Sequence, residues 1–246
     1  GEVFYHFNGS PVPEEDIVDE FRDFVPAMRD DLRDSSGAPT ADLFNDADFE
    51  LDHTTLAEYL DARGAGPLVY EAIEQAYVAE YGLDLDEQSS LNFLYFIHAD
   101  RRSKWTPFGV FSDERWHILG GNQQIPARIH DRLDATTHFN HRLTRIKKTA
   151  AGRVELTFKK GGQTVVKVHD AVVIAIPFTV LRGVELDGSL DLPAWKTYAI
   201  DELGYGTNAK LMLGFDARPW RALGSNGTSY SDLPDHQTTW ETNPKA

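Results

Sequence analysis

The sequence predicts an α+β chain, on two observations. Up to Asp100 the apolar residues recur at helical spacing, and from His138 onward the period falls to two, with a glycine pair where a hairpin would turn. EVFYHF alternates as a strand does, and Asn8-Gly9 gives it turn chemistry. Glu14 to Asp34 sets Ile17, Val18, Phe21, Phe24, Val25, Met28 and Leu32 on one helical stripe. Pro26 within it predicts a kink or two shorter helices. A polar loop is expected to about His53. Thr54 or Thr55 can then cap a helix whose apolar face is Leu56, Tyr59 and Leu60, and Gly64 ends it. Leu68 to Tyr81 and Leu85 to His98 read as two more helices.

After Asp100 comes RRSKWTPFG, a basic and aromatic loop. ERWHIL reads as a short strand ending at Gly120-Gly121, and Asn122 as the cap of a helix through Ile125, Ile129 and Leu133. HFNHRLTRIKK and GRVELTFKKGGQTVVKV are strands, with Gly161-Gly162 as the hairpin signal. AVVIAIP is a continuous apolar run of the kind buried on both faces of a sheet. Leu192 to Leu203 reads as a helix and NAKLMLGF as a strand. YSDLPDHQTTWETN reads as a strand that stops abruptly.

Composition narrows the function classes. The 246 residues are 41% hydrophobic and 11% aromatic, which is globular rather than disordered. The 39 acids against 24 basic residues give a net charge of −15, a field that repels phosphate backbones and argues against nucleic-acid binding. No apolar run is long enough to span a bilayer, and GEVFYHFNGS has no leader character. A soluble protein, cytoplasmic or secreted, with no membrane partner is expected. With no cysteine, disulfides, thiolate nucleophiles and zinc–sulfur sites are excluded.

Several motifs resemble sites without their context. Gly204-Tyr205-Gly206-Thr207-Asn208-Ala209 comes nearest to a dinucleotide fingerprint, but helix-then-strand order is wrong for a pyrophosphate cradle, so it reads as a turn. Gly120-Gly121-Asn122 has the right order but only two glycines. His138 and His141, if on a strand, point to opposite faces and cannot share a metal, so no metal site is predicted.

Four segments in order resemble the flavin-containing amine oxidase family, which includes monoamine, polyamine and L-amino-acid oxidases. SDERWHILGGNQQIPARI resembles the strand–Gly-Gly–helix by which the chain re-enters the FAD-binding domain. HFNHRLTRI with GRVELTF resembles the hairpin beneath the adenine. DAVVIAIPFTVLRGVEL resembles the buried strand with its Ile-Pro exit. LPAWKTYAIDELGYGTNAKLMLGFDARPW resembles the helix, turn and strand that carry the family's lysine. SYSDLPDHQTTWET fits a following strand of the substrate domain. The N-terminal glycine fingerprint and the C-terminal segment of that family have no counterpart here, so the chain resembles its middle section.

The resemblance implies a substrate-binding domain, a mixed sheet with flanking helices, plus a small β-rich middle section of the FAD-binding domain. Residues 1–113 would be the helical part of the substrate domain, 114–177 the FAD-domain segment and 178–246 the sheet part of the substrate domain. It also implies oxidation of a C–N bond to an imine, with reduction of FAD and release of hydrogen peroxide. The substrate would be a small amine or amino acid. The absent segments of the same enzyme, or a homodimer mate, could complete the site. A non-catalytic binding or scaffold fragment and a related flavin oxidoreductase are the competing readings.

Residue by residue, Lys210 resembles the lysine that holds a water against flavin N5. It is expected to project from an apolar strand into the cavity that receives the isoalloxazine ring. An ammonium desolvated in such surroundings gives up its proton more readily; a strand lysine snorkelling to solvent is the plain alternative. Leu143 resembles the position whose main chain meets the adenine. Gly120, Gly121, Ala175, Ile176 and Pro177 would pass close to the cofactor, or for the last three simply form a core strand. Trp105, Phe108 and Trp240 could wall the substrate cavity, although aromatics are more often core. Arg115 could pair with a substrate carboxylate or, more simply, with Asp113 or Glu114.

Overall fold

The computed structural model describes residues 1–97, 104–109 and 116–242. Contacts divide the chain into two compact units. One comprises Gly1–His117 with Gly206–Ala246, the other Ile118–Tyr205.

In the first unit, β1 (Glu2–Phe7) turns at Asn8 and Gly9, both at positive φ, into β2 (Ser10–Val12). Helix α1 (Glu14–Asp34) runs through Pro26 as one element, so the expected division does not occur. Its Ile17, Val25 and Met28 are completely buried, which offsets the backbone bond that proline removes. The loop expected before His53 contains a helix, α2 (Asp46–Asp52), begun by a capping box between Asn45 and Asp48. Thr55 caps α3 (Leu56–Ala62) through a second capping box with Glu58, and Gly64 follows at φ 71°.

Helix α4 (Pro67–Tyr81) starts at Gly66, which offers no side chain. Glu20 of α1 takes over the capping, accepting from the amides of Leu68 (2.8 Å) and Val69 (3.1 Å). The segment from Leu85 divides into a 3₁₀ turn (Leu85–Glu87) and α5 (Ser90–Ile97), not one helix. Later in the chain, β7 (Ser225–Ser231) and β8 (Thr238–Thr239) complete this unit. The sheet order is β2-β1-β7-β8, antiparallel except for the parallel pair β1·β7. The core lies between this sheet and the helices, with Tyr5, Phe24, Tyr59, Ile73, Tyr77 and Phe93 almost completely buried.

The second unit is built on the expected hairpins. Helix α6 (Gln124–His130) begins without a side-chain cap, so Asn122 does not serve as one. Strands β3 (Arg142–Lys148), β4 (Val154–Lys160) and β5 (Gln163–His169) form a meander, with Gly161 and Gly162 at positive φ in the second turn. After α7 (Phe178–Leu181), the short β6 (Glu185–Leu186) pairs parallel to β3. Helix α8 (Ala194–Glu202) then packs Ile200 into a small core with Ile146, Leu156, Leu181 and Val184.

Three expected strands are absent among the described residues. Trp116–Leu119 is irregular, with Trp116 89% exposed. The runs over 171–176 and 208–215 have no regular structure and join no sheet among the described residues. Val173 is 91% and Leu211 83% exposed. An apolar run is a strand only where neighbouring backbone takes up its amides and carbonyls; no described strand lies alongside either one.

Candidate functional site

The polypeptide around Lys210 is fastened at both ends to the first unit. Upstream, Gly206 lies against the carbonyl of Tyr81 so closely that a Cβ could not be accommodated. The Thr207 amide donates to the Gly82 carbonyl (2.9 Å), and the Asn208 carboxamide donates to that of Ala79 (2.8 Å). These bonds satisfy carbonyls at the C-terminal end of α4 that the helix itself leaves open. Downstream, Phe215 meets Trp220 edge to face, 5.4 Å between ring centres. Trp220 belongs to the short helix α9 (Pro219–Ala222).

Between these anchors, Lys210 is exposed, not enclosed in an apolar strand as the sequence predicts. Its ammonium stands 5.2 Å from the centre of the Trp240 ring, a cation–π arrangement of ~0.5–1 kcal/mol at such a surface. Among the described residues no carboxylate comes within ion-pair distance of it. Lys210 and Trp240, singled out separately in the sequence, are thus brought together.

Trp240 is held by its neighbours. Thr239 is in β8, paired with Ser229 of β7, and the two hydroxyls are 2.6 Å apart. Glu241 accepts from Arg218 Nε (2.5 Å), the Trp220 indole N–H (3.1 Å) and Arg221 (3.2 Å). Burial would raise the Glu241 carboxyl, but these three donors outweigh it and hold it below the ordinary value. Sequence reasoning missed Glu241 and its arginines, because nothing local marks a glutamate as the meeting point of donors some twenty residues away.

Trp105 and Phe108 lie in the core of the first unit. Trp105 is 5% exposed and meets Phe21 edge to face at 4.9 Å. Its indole N–H is buried without an acceptor among the described residues. Phe108 packs on Tyr77 and Phe96. Arg115 lies outside the described residues.

The other residues belong to the second unit. Gly120 and Gly121 both have positive φ, and open space surrounds the place where a Cβ of Gly121 would stand. Leu143 is half-buried on β3, beside a register shift that falls before Arg145. Because β6 pairs only with Arg145 and Ile146, the β3 edge at Leu143 is unpaired on that side among the described residues. Ala175 and Pro177 are exposed, while Ile176 packs on the small core. A depression lined by Leu181, Arg182, Val184, Leu186, Thr197 and Ile200 holds about 210 Å³. That is below the ~300–1,000 Å³ of small-molecule sites. Arg182 there is committed to the carbonyls of Ile200 and Leu203, both at 2.7 Å.

The histidine pair departs from its expected geometry. His138 and His141 both precede β3, and their rings are 5.4 Å apart. Among the described residues no group of three or more ligating side chains forms around them or elsewhere. No described helix is long and apolar enough to cross a membrane.

Comparison with known proteins gives these features their setting. Over 162 residues, 60% of this chain, the sequence is 32% identical to an L-amino-acid oxidase of Neurospora crassa, the match covering 23% of that protein. Over 87 residues it is 36% identical to probable polyamine oxidase 4 of Arabidopsis thaliana, covering 17% of that protein. In fold, 98% of the chain superposes on wild-type putrescine oxidase bound to putrescine, with a TM-score of 0.68 at 17% identity and 54% of that chain covered. The chain therefore spans about half the length of the solved structure it matches, and the matched stretches are less than a quarter of the curated relatives. The profile of the flavin containing amine oxidoreductases matches residues 2–245, nearly the whole sequence, and the chain belongs to that family.

Proposed function

We propose that this chain is a section of an FAD-dependent oxidase that converts the C–N bond of a small amine or L-amino acid to an imine, releasing hydrogen peroxide. The observation that carries this reading is the Lys210 ammonium, fixed over an indole face and committed to no carboxylate among the described residues.

The residues present suit such a cofactor. Gly120 and Gly121 offer backbone that a ligand can approach closely, and Gly121 has open space beside it. The free edge of β3 at Leu143 offers main-chain groups to an adenine. Bound FAD would supply the hydride acceptor and the reaction with oxygen. The part of the chain itself is positional. Lys210 donates N–H bonds to an ordered water, and the face of Trp240 favours one position of the ammonium. Aromatic surface at Trp240 also excludes water from one side of the reacting amine.

The test is Lys210→Met in the complete protein. Flavin reduction or its reoxidation should slow strongly, with FAD still bound by absorbance. Kinetics equal to those of the parent protein would remove the assigned role.

A further inference from the structure

Glu241 is a partly buried carboxylate, its side chain 11% exposed. Three donors from one short stretch, Arg218, Trp220 and Arg221, converge on it. Gly227 makes the convergence possible: at φ 93° it has no side chain, and a Cβ there would press on Trp220 Nε1 and Glu241 Cβ, both at 3.1 Å. One neighbour of Glu241 is Trp240, whose ring carries the ammonium of Lys210. Trp220 in turn packs on Phe215, which is on the same stretch as Lys210. The clamp therefore grips both partners of the cation–π pair, the indole through Glu241 and the lysine segment through Phe215.

We propose that Glu241 is a positioning residue for Lys210: clamped by Arg218, Trp220 and Arg221, it fixes the Trp240 ring on which the ammonium rests. This rests on the reading of Lys210 given above as to purpose, but the geometry stands without it. A charged group bonded to three donors in a partly desolvated place is costly to disturb, because removing the carboxylate leaves two guanidinium groups facing each other. Loss of Glu241 should therefore release Trp240 from one side, leaving only its link to β8.

The experiment is an NMR measurement on the full chain, without flavin. The side-chain methylene resonances next to the Lys210 nitrogen should lie upfield, shielded by the Trp240 ring. Trp240→Leu should return them to the position of a free lysine, and Trp240→Phe should keep part of the displacement. Glu241→Ala should lose most of it, while the methyl signals of the buried Leu60 and Ile73 stay in place. Should those core signals move, Glu241→Gln is read instead, with the same loss expected. A Lys210 signal already at the free position in the parent protein, or a displacement that survives Trp240→Leu or the Glu241 variant, overturns the proposal. Because no flavin is involved, failure here is distinct from failure of the Lys210→Met kinetics.

Discussion

Gly206 and the carbonyl of Tyr81 are packed so tightly that a methyl group could not come between them; a Cβ would fall well inside the 3.0 Å that real Cβ atoms keep. The obstacle is backbone at the end of α4, which cannot swing aside. Gly206→Ala should therefore cost ~1–3 kcal/mol, the usual range for overpacking, and should expose the Thr207 amide to exchange. Gly214→Ala, with nothing within 4 Å, should be close to neutral. Urea midpoints of the two variants check this, and equal midpoints would contradict it.

Asp48 is 1% exposed and accepts from the Ser35 hydroxyl and from the amides of Ser36 and Asn45. Since Ser35 spends its proton on Asp48, the Tyr95 hydroxyl 2.5 Å away must be the donor in their bond. Burial pushes the Asp48 carboxyl upward, but the hydrogen bonds win and hold it at about 2. A folded value below the unfolded one of about 4 gives stability that is full above that pH and lost as pH falls towards 2. Asp48→Asn should therefore lower the unfolding temperature most at neutral pH, and the gap to the parent protein should close on acidification. A gap independent of pH between 7 and 2 would exclude this account.

The Thr55 hydroxyl accepts from the Glu58 amide at 3.2 Å, and the Glu58 carboxylate accepts from the Thr55 amide at 3.0 Å. Thr55→Ala should cost ~0.5–2 kcal/mol in chemical denaturation, and Thr55→Ser should recover most of it.

Tyr77 is completely buried and donates its hydroxyl proton to the Pro107 carbonyl at 2.7 Å. Tyr77→Phe leaves that buried acceptor unmet, a loss of ~1–3 kcal/mol. The segment carrying Trp105 should loosen, which a fluorotryptophan-labelled sample would report as a shifted and broadened Trp105 line. An unchanged line would show that the bond does not hold the segment.

What could be read from the sequence was what local chemistry decides. The β3–β4–β5 meander followed its period of two and its Gly161-Gly162 turn because each strand finds its partner next along the chain. The Thr55 cap and the end of α4 at Tyr81 were equally local. Helix α2 was hidden because its box pairs Asn45 with an aspartate in a stretch already full of acids. Residues 171–176 and 208–215 were misread because apolarity shows that a strand could be buried, not that a neighbour is there to pair with it. Of the candidate site, the family resemblance singled out Lys210 and Trp240 one at a time, as expectations. Their meeting was not, since it depends on β8 and on a clamp assembled from distant residues.

The parallel pairing of Glu2–His6 with Ser225–Ser231 bears on how the chain comes off the ribosome. Strand β1 is made more than two hundred residues before β7 and stays unpaired on that edge until Ser225–Ser231 have emerged. Meanwhile the hairpins of the 118–205 unit need only residues close at hand and can condense early. A nascent chain arrested before Ser225 should consequently protect the amides of β3 and β4 while those of β1 still exchange freely on the β7 side.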